Sequence, residues 1–440
     1  MKVMKFGGTS VGKPERMRDV ARLITADNES KIVVLSALSG TTNTLVTIGR
    51  CIADRKKDDA LQVIDTLKKH YDSFVDDLLK KPDTNQEGHK AIEDHFDFLN
   101  TVTKISYSEP LGKDILAQGE LMSTKLFSLY LKENNISHHL LPALDFMSID
   151  TNDEPQIASI REKLHPILAA HSDTNIYVTQ GYICLNAKGE VDNLKRGGSD
   201  YSASLIAAAI QASVCEIWTD IDGMHNNDPR IVKTTKPIEH LSFDEAAELA
   251  YFGAKILHPA SIWPAQMEHV PVKLLNTMEP TARGTTIAKN AAAQGLKAVA
   301  AKDGIYAINI KSSRMLLAYG FLRSVFSIFE KYKTPIDMVT TSEVAVSMTI
   351  DQVSSINEII AELEKLGTVS VTPNQTIVSI VGHNLASTPG MLENIFGAIS
   401  HIPVSMVSYG GSPHNVSLLV PADHKNETLQ ALNIELFGLE

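Results

Sequence analysis

Lys2-Val3-Met4-Lys5-Phe6-Gly7-Gly8-Thr9-Ser10-Val11 is a short apolar run that stops at two glycines and hands over to a helical pattern. Residues 2–6 read as a buried strand. Pro14 sits where the first turn of a helix accepts it, and Met17, Val20, Ala21 and Ile24 follow at helical spacing. The β-branched run Lys31-Ile32-Val33-Val34-Leu35 predicts a second buried strand. Ser36 to Thr44 forms a small-residue loop, and Leu45, Ile48 and Ile52 continue on a helix face. Strand, loop and helix in alternation predict an α/β sheet covered on both faces.

The glycine turn has a counterpart about 190 residues on, Arg196-Gly197-Gly198-Ser199-Asp200, again just before a helical pattern. Glycine lets backbone N–H groups approach an anion without a Cβ in the way, and a helix N-terminus behind it favours negative charge. Two such turns, one carrying a Lys and the other an Arg and an Asp, point to phosphoryl transfer.

Between the turns, residues 58–104 are charged and periodic, with a break at Pro82-Asp83-Thr84-Asn85, and read as a helical insertion. Residues 114–133 predict a further helix, Ile176 to Leu185 a strand pair, and Ser202 to Ala212 an alanine-rich buried helix. Glu216-Ile217-Trp218-Thr219 is a strand ending in Asp220-Ile221-Asp222-Gly223, and Pro271 to Leu275 closes this part.

The chain has 440 residues, too many for a single core, and its 43% apolar and 21% charged residues suit a globular protein. A net charge of −11 without a basic block argues against nucleic acid as a partner. Cys51, Cys184 and Cys215 are odd in number and widely spaced, which argues against a disulfide framework or a cysteine zinc site. They read as small buried hydrophobes in a reducing cytoplasm. The opening residues carry no secretory signal, and no stretch approaches the roughly 20 apolar residues that cross a bilayer; a membrane is not an expected partner.

Composition shifts to Thr, Ala, Asn and Gly at Gly284 to Lys297, the pattern of a linker. Beyond it a unit repeats. A helix from Phe326 leads to strands Ile336–Thr340 and Val344–Ile350; a helix from Ile395 leads to strands Val404–Ser408 and Val416–Val420. Each is followed by a second helix, within 354–366 and 425–432. The repeat predicts two ferredoxin-like βαββαβ modules, an arrangement suited to ligand sensing.

Taken together these segments resemble the aspartate kinases of the amino-acid kinase family. The resemblance rests on Lys5 to Val11, on Ser36-Ala37-Leu38-Ser39-Gly40-Thr41-Thr42-Asn43, and on Arg196 to Ala203. Thr219 to Gly223 with Asp228-Pro229-Arg230, and Phe252-Gly253-Ala254-Lys255-Ile256-Leu257-His258-Pro259, extend it. The tail from Gly320-Phe321-Leu322 through Thr340-Thr341-Ser342-Glu343 is similar to the paired ACT modules of those enzymes. The resemblance implies a three-layer α/β/α kinase domain over 1–284 with the insertion at 58–110. It also implies a linker at 285–297 and a regulatory region at 298–440. The first ACT module would span about 312–378, and the second 298–311 plus 379–440.

The implied activity is ATP-dependent phosphorylation of the β-carboxylate of L-aspartate to 4-phospho-L-aspartate, with Mg2+ bridging the phosphates. Lys5 and Asp200 are the implied catalytic pair: Lys5 on the β/γ-phosphates and Asp200 orienting Lys5 and helping to hold Mg2+. Arg196 suits a bidentate carboxylate grip. Glu120 would take the substrate ammonium, and Thr42 and Ser199 offer hydroxyls to its carboxylates. Gly7, Gly8, Thr219, Asp220, His225, Arg230 and Lys255 fall at nucleotide positions, with His225 where the family often has Tyr. The metal is expected on phosphate oxygens and water, so no protein ligand is assigned, and the histidines read as structural or surface residues.

Met315, Ala318, Gly320, Phe321, Leu322, Asp337 and Ser342 match the effector positions of lysine-inhibited members. Ala318 stands where Ser is common, so threonine or another effector stays open beside lysine. ACT modules pair across chains, which implies a homodimer or tetramer. Two other readings are an amino-acid-kinase relative acting on glutamate, carbamate or a nucleoside monophosphate, and a catalytically silent amino-acid-binding regulator.

Overall fold

The computed structural model of the chain describes residues 1–194, 197–253, 257–289, 295–312 and 319–439. Its strands are, in chain order, β1 Lys2–Phe6, β2 Lys31–Leu35, β3 His139–Leu141, β4 Ile176–Gln180, β5 Ile183–Leu185, β6 Val191–Asn193, β7 Cys215–Thr219 and β8 His240–Leu241. They continue with β9 Val272–Asn276, β10 Thr285–Ile287, β11 Gly295–Lys311, β12 Val339–Thr341, β13 Ala345–Ile350, β14 Thr368–His383, β15 Met406–Tyr409 and β16 Asn415–Pro421. They are divided between two compact units, Met1–Met224 with Leu257–Ala291, and His225–Ile256 with Ala292–Glu440.

In the first unit the strands run β3-β4-β2-β1-β7-β9-β10. All neighbours are parallel except β9 and β10. β1 lies inside, with Lys5 opposite Val34 of β2 on one side and Ile217 of β7 on the other. β2 is buried throughout, as a parallel strand covered on both faces must be. The helix Pro14–Ile24 starts on its proline and buries Met17, Val20, Ala21 and Ile24, the positions its spacing singles out. Phe6 stacks on Trp218 at 5.8 Å, joining β1 to β7 through their side chains.

Some local expectations shift. The loop after β2 is shorter than Ser36–Thr44, because a helix begins at Thr41 behind left-handed Gly40. Ile176 to Leu185 is no strand pair: β4 lies in the main sheet while β5 pairs with β6. Pro82 is no break but the first residue of the helix Pro82–Val102, which follows Lys57–Leu78. These helices are part of the core, since Tyr71, Phe74 and Phe96 share one cluster with Phe6, Val33 and Leu35. Their connection is held by Glu133 of the helix Glu109–Glu133, whose two carboxylate oxygens accept from the Lys80 and Lys81 backbone N–H groups at 3.1 Å.

The second unit is built on two long strands. β11 and β14 pair antiparallel over almost their whole length, with register shifts at Lys302/Ile305 and Ile305/Ala307. Gly304 and Asn374 have positive φ beside this irregularity. The sheet order is β12-β13-β11-β14-β16-β15. On one side of the irregularity, the 306–311 half of β11 and the 368–372 half of β14 join β12 and β13. The helices Phe321–Lys331 and Ile356–Leu363 cover that module. On the other side the remaining halves join β16 and β15 under Met391–Ala398 and Lys425–Phe437. Two βαββαβ modules are present, as the repeat predicts.

Three expected boundaries change. The module border cuts through β11 and β14 at the irregularity, so 298–311 does not belong whole to the second module. The expected linker 285–297 is partly strand: β10 pairs with β9, and β11 starts at Gly295. Residues 225–253, expected in the kinase domain, pack in the second unit. Val232 shares a core with Val378 and Leu429, and Phe252 shares one with Ile305 and Ile377. The Asn226 side chain donates to Asn433 Oδ1 at 3.2 Å, and that of Asn227 to the Leu429 carbonyl at 3.0 Å.

Phe96 is wholly buried and meets Tyr71 edge-on at 5.8 Å. Phe96→Ala is expected to cost about 3–5 kcal/mol of stability by leaving a cavity, measured by urea unfolding. A loss under about 1 kcal/mol would mean that the helical pair does not share the sheet's core.

Candidate active site

The chain leaves β1 for β2 on one side and reaches β7 on the other, so the carboxyl ends of β1 and β7 mark a topological switch point, where open α/β sheets form their ligand crevice. Lys5 to Gly8 lie at the end of β1, Ser36 to Ser39 follow β2, and Thr219 with Asp220 lie at the end of β7. The helix Gly198–Ile210 begins behind two left-handed glycines, Gly197 and Gly198, with Asp200 in its first turn. That turn delivers Asp200 to Lys5: Nζ and Oδ1 stand 2.6 Å apart, with side-chain exposures of 11% and 16%. A Cβ on Gly7 would lie 3.2 Å from the Lys5 ammonium, so glycine keeps room there for the cation. The Gly7 N–H faces the Trp218 carbonyl at 3.5 Å, and Gly8 opens the short helix Gly8–Val11.

Ser199 is buried, and its Oγ accepts from Ser36 Oγ at 2.9 Å. Glu120 comes from the opposite direction, on the helix Glu109–Glu133. It is 3% exposed, and its Oε1 accepts from the Ala37 N–H at 3.2 Å. Its Oε2 is buried without a hydrogen-bond partner among the described residues. Burial pushes the Glu120 carboxyl up to about 7, against the opposing Ala37 N–H. The helix comes this close because residue 119 is glycine; a Cβ there would meet Ala37 Cβ at 2.8 Å. Thr41 Oγ1 and Tyr71 Oη, 3.1 Å apart, close the floor beside it, so the insertion helices help build the site.

Lys5, Gly7, Gly8, Glu120, Ser199 and Asp200 thus converge through one series of contacts. Thr42 lies one residue into the helix Thr41–Ala53, half-buried, and does not cap it; Gly40 holds the N-cap position. Thr219 ends β7 and donates its hydroxyl to Asp220 Oδ1 at 3.1 Å. Arg196 and Lys255 lie outside the described residues. His225 and Arg230 belong to the second unit. His225 Nδ1 is 2.8 Å from Thr235 Oγ1, and Arg230 is held by both Asp228 carboxylate oxygens, at 2.9 and 2.7 Å. One contributor escapes a reading of motifs: Gly181, where a Cβ would meet Ser199 Cβ at 2.4 Å.

In the second unit, Gly320 caps the helix Phe321–Lys331 in the left-handed region, Phe321 packs on the module core, and Leu322 and Ser342 are exposed. Met315 and Ala318 lie outside the described residues. Asp337, expected to await a ligand's ammonium, already has partners: its Oδ1 takes Lys302 Nζ at 2.7 Å and Tyr251 Oη at 2.6 Å. Its Oδ2 is buried without a partner among the described residues. Lys302 also reaches Asp351 at 3.0 Å and lies 4.6 Å over the Tyr251 ring. Burial and the neighbouring Asp337 push the Tyr251 phenol well above its ordinary range.

The amino acid kinase family profile matches residues 1–276, and the ACT domain profile residues 378–436, the second module. The lysine-sensitive aspartokinase 3 of Escherichia coli is 33% identical over 99% of this chain and 99% of its own. The crystal structure of E. coli aspartokinase III with aspartate and ADP (R-state) superposes with a TM-score of 0.83 at 32% identity, covering 99% of this chain and 100% of the other. The same enzyme with lysine and aspartate (T-state) gives 0.82 at 31% identity, with 99% of each chain covered. Similarity that runs from end to end, through both kinds of module, places this chain among the aspartokinases of the amino acid kinase family.

Proposed function

We propose that the chain phosphorylates the β-carboxylate of L-aspartate with Mg-ATP and is inhibited by lysine. The carrying observation is the Glu120 carboxylate, buried beside the strand ends with one oxygen unpartnered. A buried carboxylate oxygen left without a donor is costly, and a substrate ammonium removes that cost. An α-ammonium carried with two carboxylates is common to aspartate and glutamate; aspartate is the ligand named in the E. coli structures.

In this reading Glu120 anchors the ammonium, while Ser199 and Thr42 with Arg196 take the carboxylates. A β-carboxylate oxygen attacks the γ-phosphorus as the bond to the ADP oxygen breaks. The attacking group is ionised at neutral pH, so no side chain has to remove a proton. Lys5, held by Asp200, places its charge where negative charge gathers in the transition state. Asp200 and Asp220 supply hard oxygens at the strand ends, a donor chemistry that suits Mg2+. Bound there, the ion would supply positive charge that offsets the charge of the phosphates. Gly8, Thr219 and Asp220 form the nucleotide side. A homodimer or tetramer through the ACT modules completes the proposal.

ADP release with MgATP over a panel of amino acids tests the activity; turnover with glutamate and none with aspartate would overturn it. Lys5→Ala is expected to lower kcat by about 10^3-fold or more with cooperative unfolding preserved, and near-normal turnover would remove Lys5 from the chemistry.

Glu120 gives a pH test. Its folded carboxyl lies above the ordinary carboxylate range, so ionising it costs stability between the two values. An incoming ammonium favours the ionised form. KM for aspartate should therefore fall as pH rises from about 6 to about 8, and Glu120→Gln should raise KM and flatten that profile. A wild-type KM flat over this range would refute the contact.

For the effector, a lysine ammonium would go to Asp337, using the open Oδ2 or displacing Lys302. Asp337→Asn should raise the half-inhibitory lysine concentration about tenfold or more, from loss of a charged hydrogen bond. Inhibition by threonine alone would reassign the effector.

A further inference from the structure

The second unit holds a polar cluster that neither the proposed catalysis nor the effector site uses. Glu245 lies in the first turn of the helix Phe243–Tyr251, where its Oε2 accepts from the Ser242 N–H at 2.7 Å in a capping box. Its other oxygen, Oε1, is buried with no partner among the described residues, and the side chain is 1% exposed. Facing it are His383, the last residue of β14, and His414, just before β16. The two strands hold the histidines together, with the Gly382 N–H donating to the His414 carbonyl at 2.9 Å. The imidazole centroids are 5.8 Å apart, and His383 Nδ1 is 4.0 Å from Glu245 Oε1. His414 Nδ1 is also buried and unpartnered. One ligand atom from each of the three residues lies within 4.8 Å of the others.

We propose that Glu245, His383 and His414 bind a divalent cation of the Zn2+ class. Two orphaned acceptors and an adjacent imidazole are the donor set such an ion takes, two nitrogens and one carboxylate oxygen with water in the fourth position. Bonds of about 2.0–2.1 Å put tetrahedral ligand atoms roughly 3.3 Å apart, so rotation of the half-exposed His383 closes the shell. The capping oxygen need not move, because Oε1 is the spare one. The other charges nearby are engaged: Asn415 Nδ2 donates to Glu248, and Lys297 Nζ donates to the His240 carbonyl at 3.2 Å. Burial lowers the Lys297 ammonium below its ordinary range, against the pull of Glu245. Bound there, the ion ties the middle-of-chain helix to the end of both ACT strands.

Chelator-treated full-length protein titrated with Co2+ tests this. One Co2+ per chain, with the visible absorption of a low-symmetry nitrogen/oxygen site and displaceable by Zn2+, is the expected result. His383→Ala and His414→Ala should each weaken binding by about tenfold or more. His383 is half-exposed and caps nothing, so its variant keeps the test valid if Glu245→Gln fails to fold. No Co2+ spectrum, or binding unchanged in His383→Ala, overturns the site.

Discussion

The first unit turns on the contact between Lys5 and Asp200. An ammonium on an interior strand, with little exposure, needs a counter-charge, and removing one partner of a buried pair costs on the order of 3–5 kcal/mol. The chain supplies that counter-charge from the first turn of a helix nearly 200 residues later. Meeting the demand fixes the Gly197-Gly198 turn at the sheet's carboxyl edge. Ser199 then lies against Ser36 and Gly181. The local geometry of the site follows from neutralising one strand-borne cation.

Glu120 is the opposite case. It is buried with only half of its carboxylate satisfied, and its raised pKa records that cost. A fold selected for stability alone would have no reason to keep it charged there. Gly119 makes the arrangement possible, and a larger residue would push the helix off the Ala37 loop. Incomplete satisfaction at a residue brought in by close packing is how a binding site differs from a structural ion pair.

Local pattern carried most of the first unit into view. Strands buried on both faces, prolines at helix starts and the apolar spacing of Met17 to Ile24 are short-range features, and Glu120, Ser199 and Asp200 lie in contiguous motifs. The failures are long-range. No local signal tells that residues 225–253 pack with a sheet that begins at Gly295, since that depends on Val232 and Phe252 finding partners over 50 residues away. The module border was invisible because β11 and β14 each run through both modules, and only the register shift near Gly304 divides them. The partners of Asp337 were hidden likewise, since Lys302 lies 35 residues upstream.

Those shared strands limit how the second unit can respond to a ligand. Two modules on separate strands could move independently, but here a shift in one module's half of β11 or β14 is carried along the same backbone. Asp337 sits where the helix Phe243–Tyr251 meets this sheet through Tyr251, and Glu245 binds the same helix from its first turn. A ligand ammonium at Asp337, the proposed effector position, would compete with Lys302 and Tyr251 for one carboxylate. Its differential binding energy would then be spent on the contacts that hold the helix end.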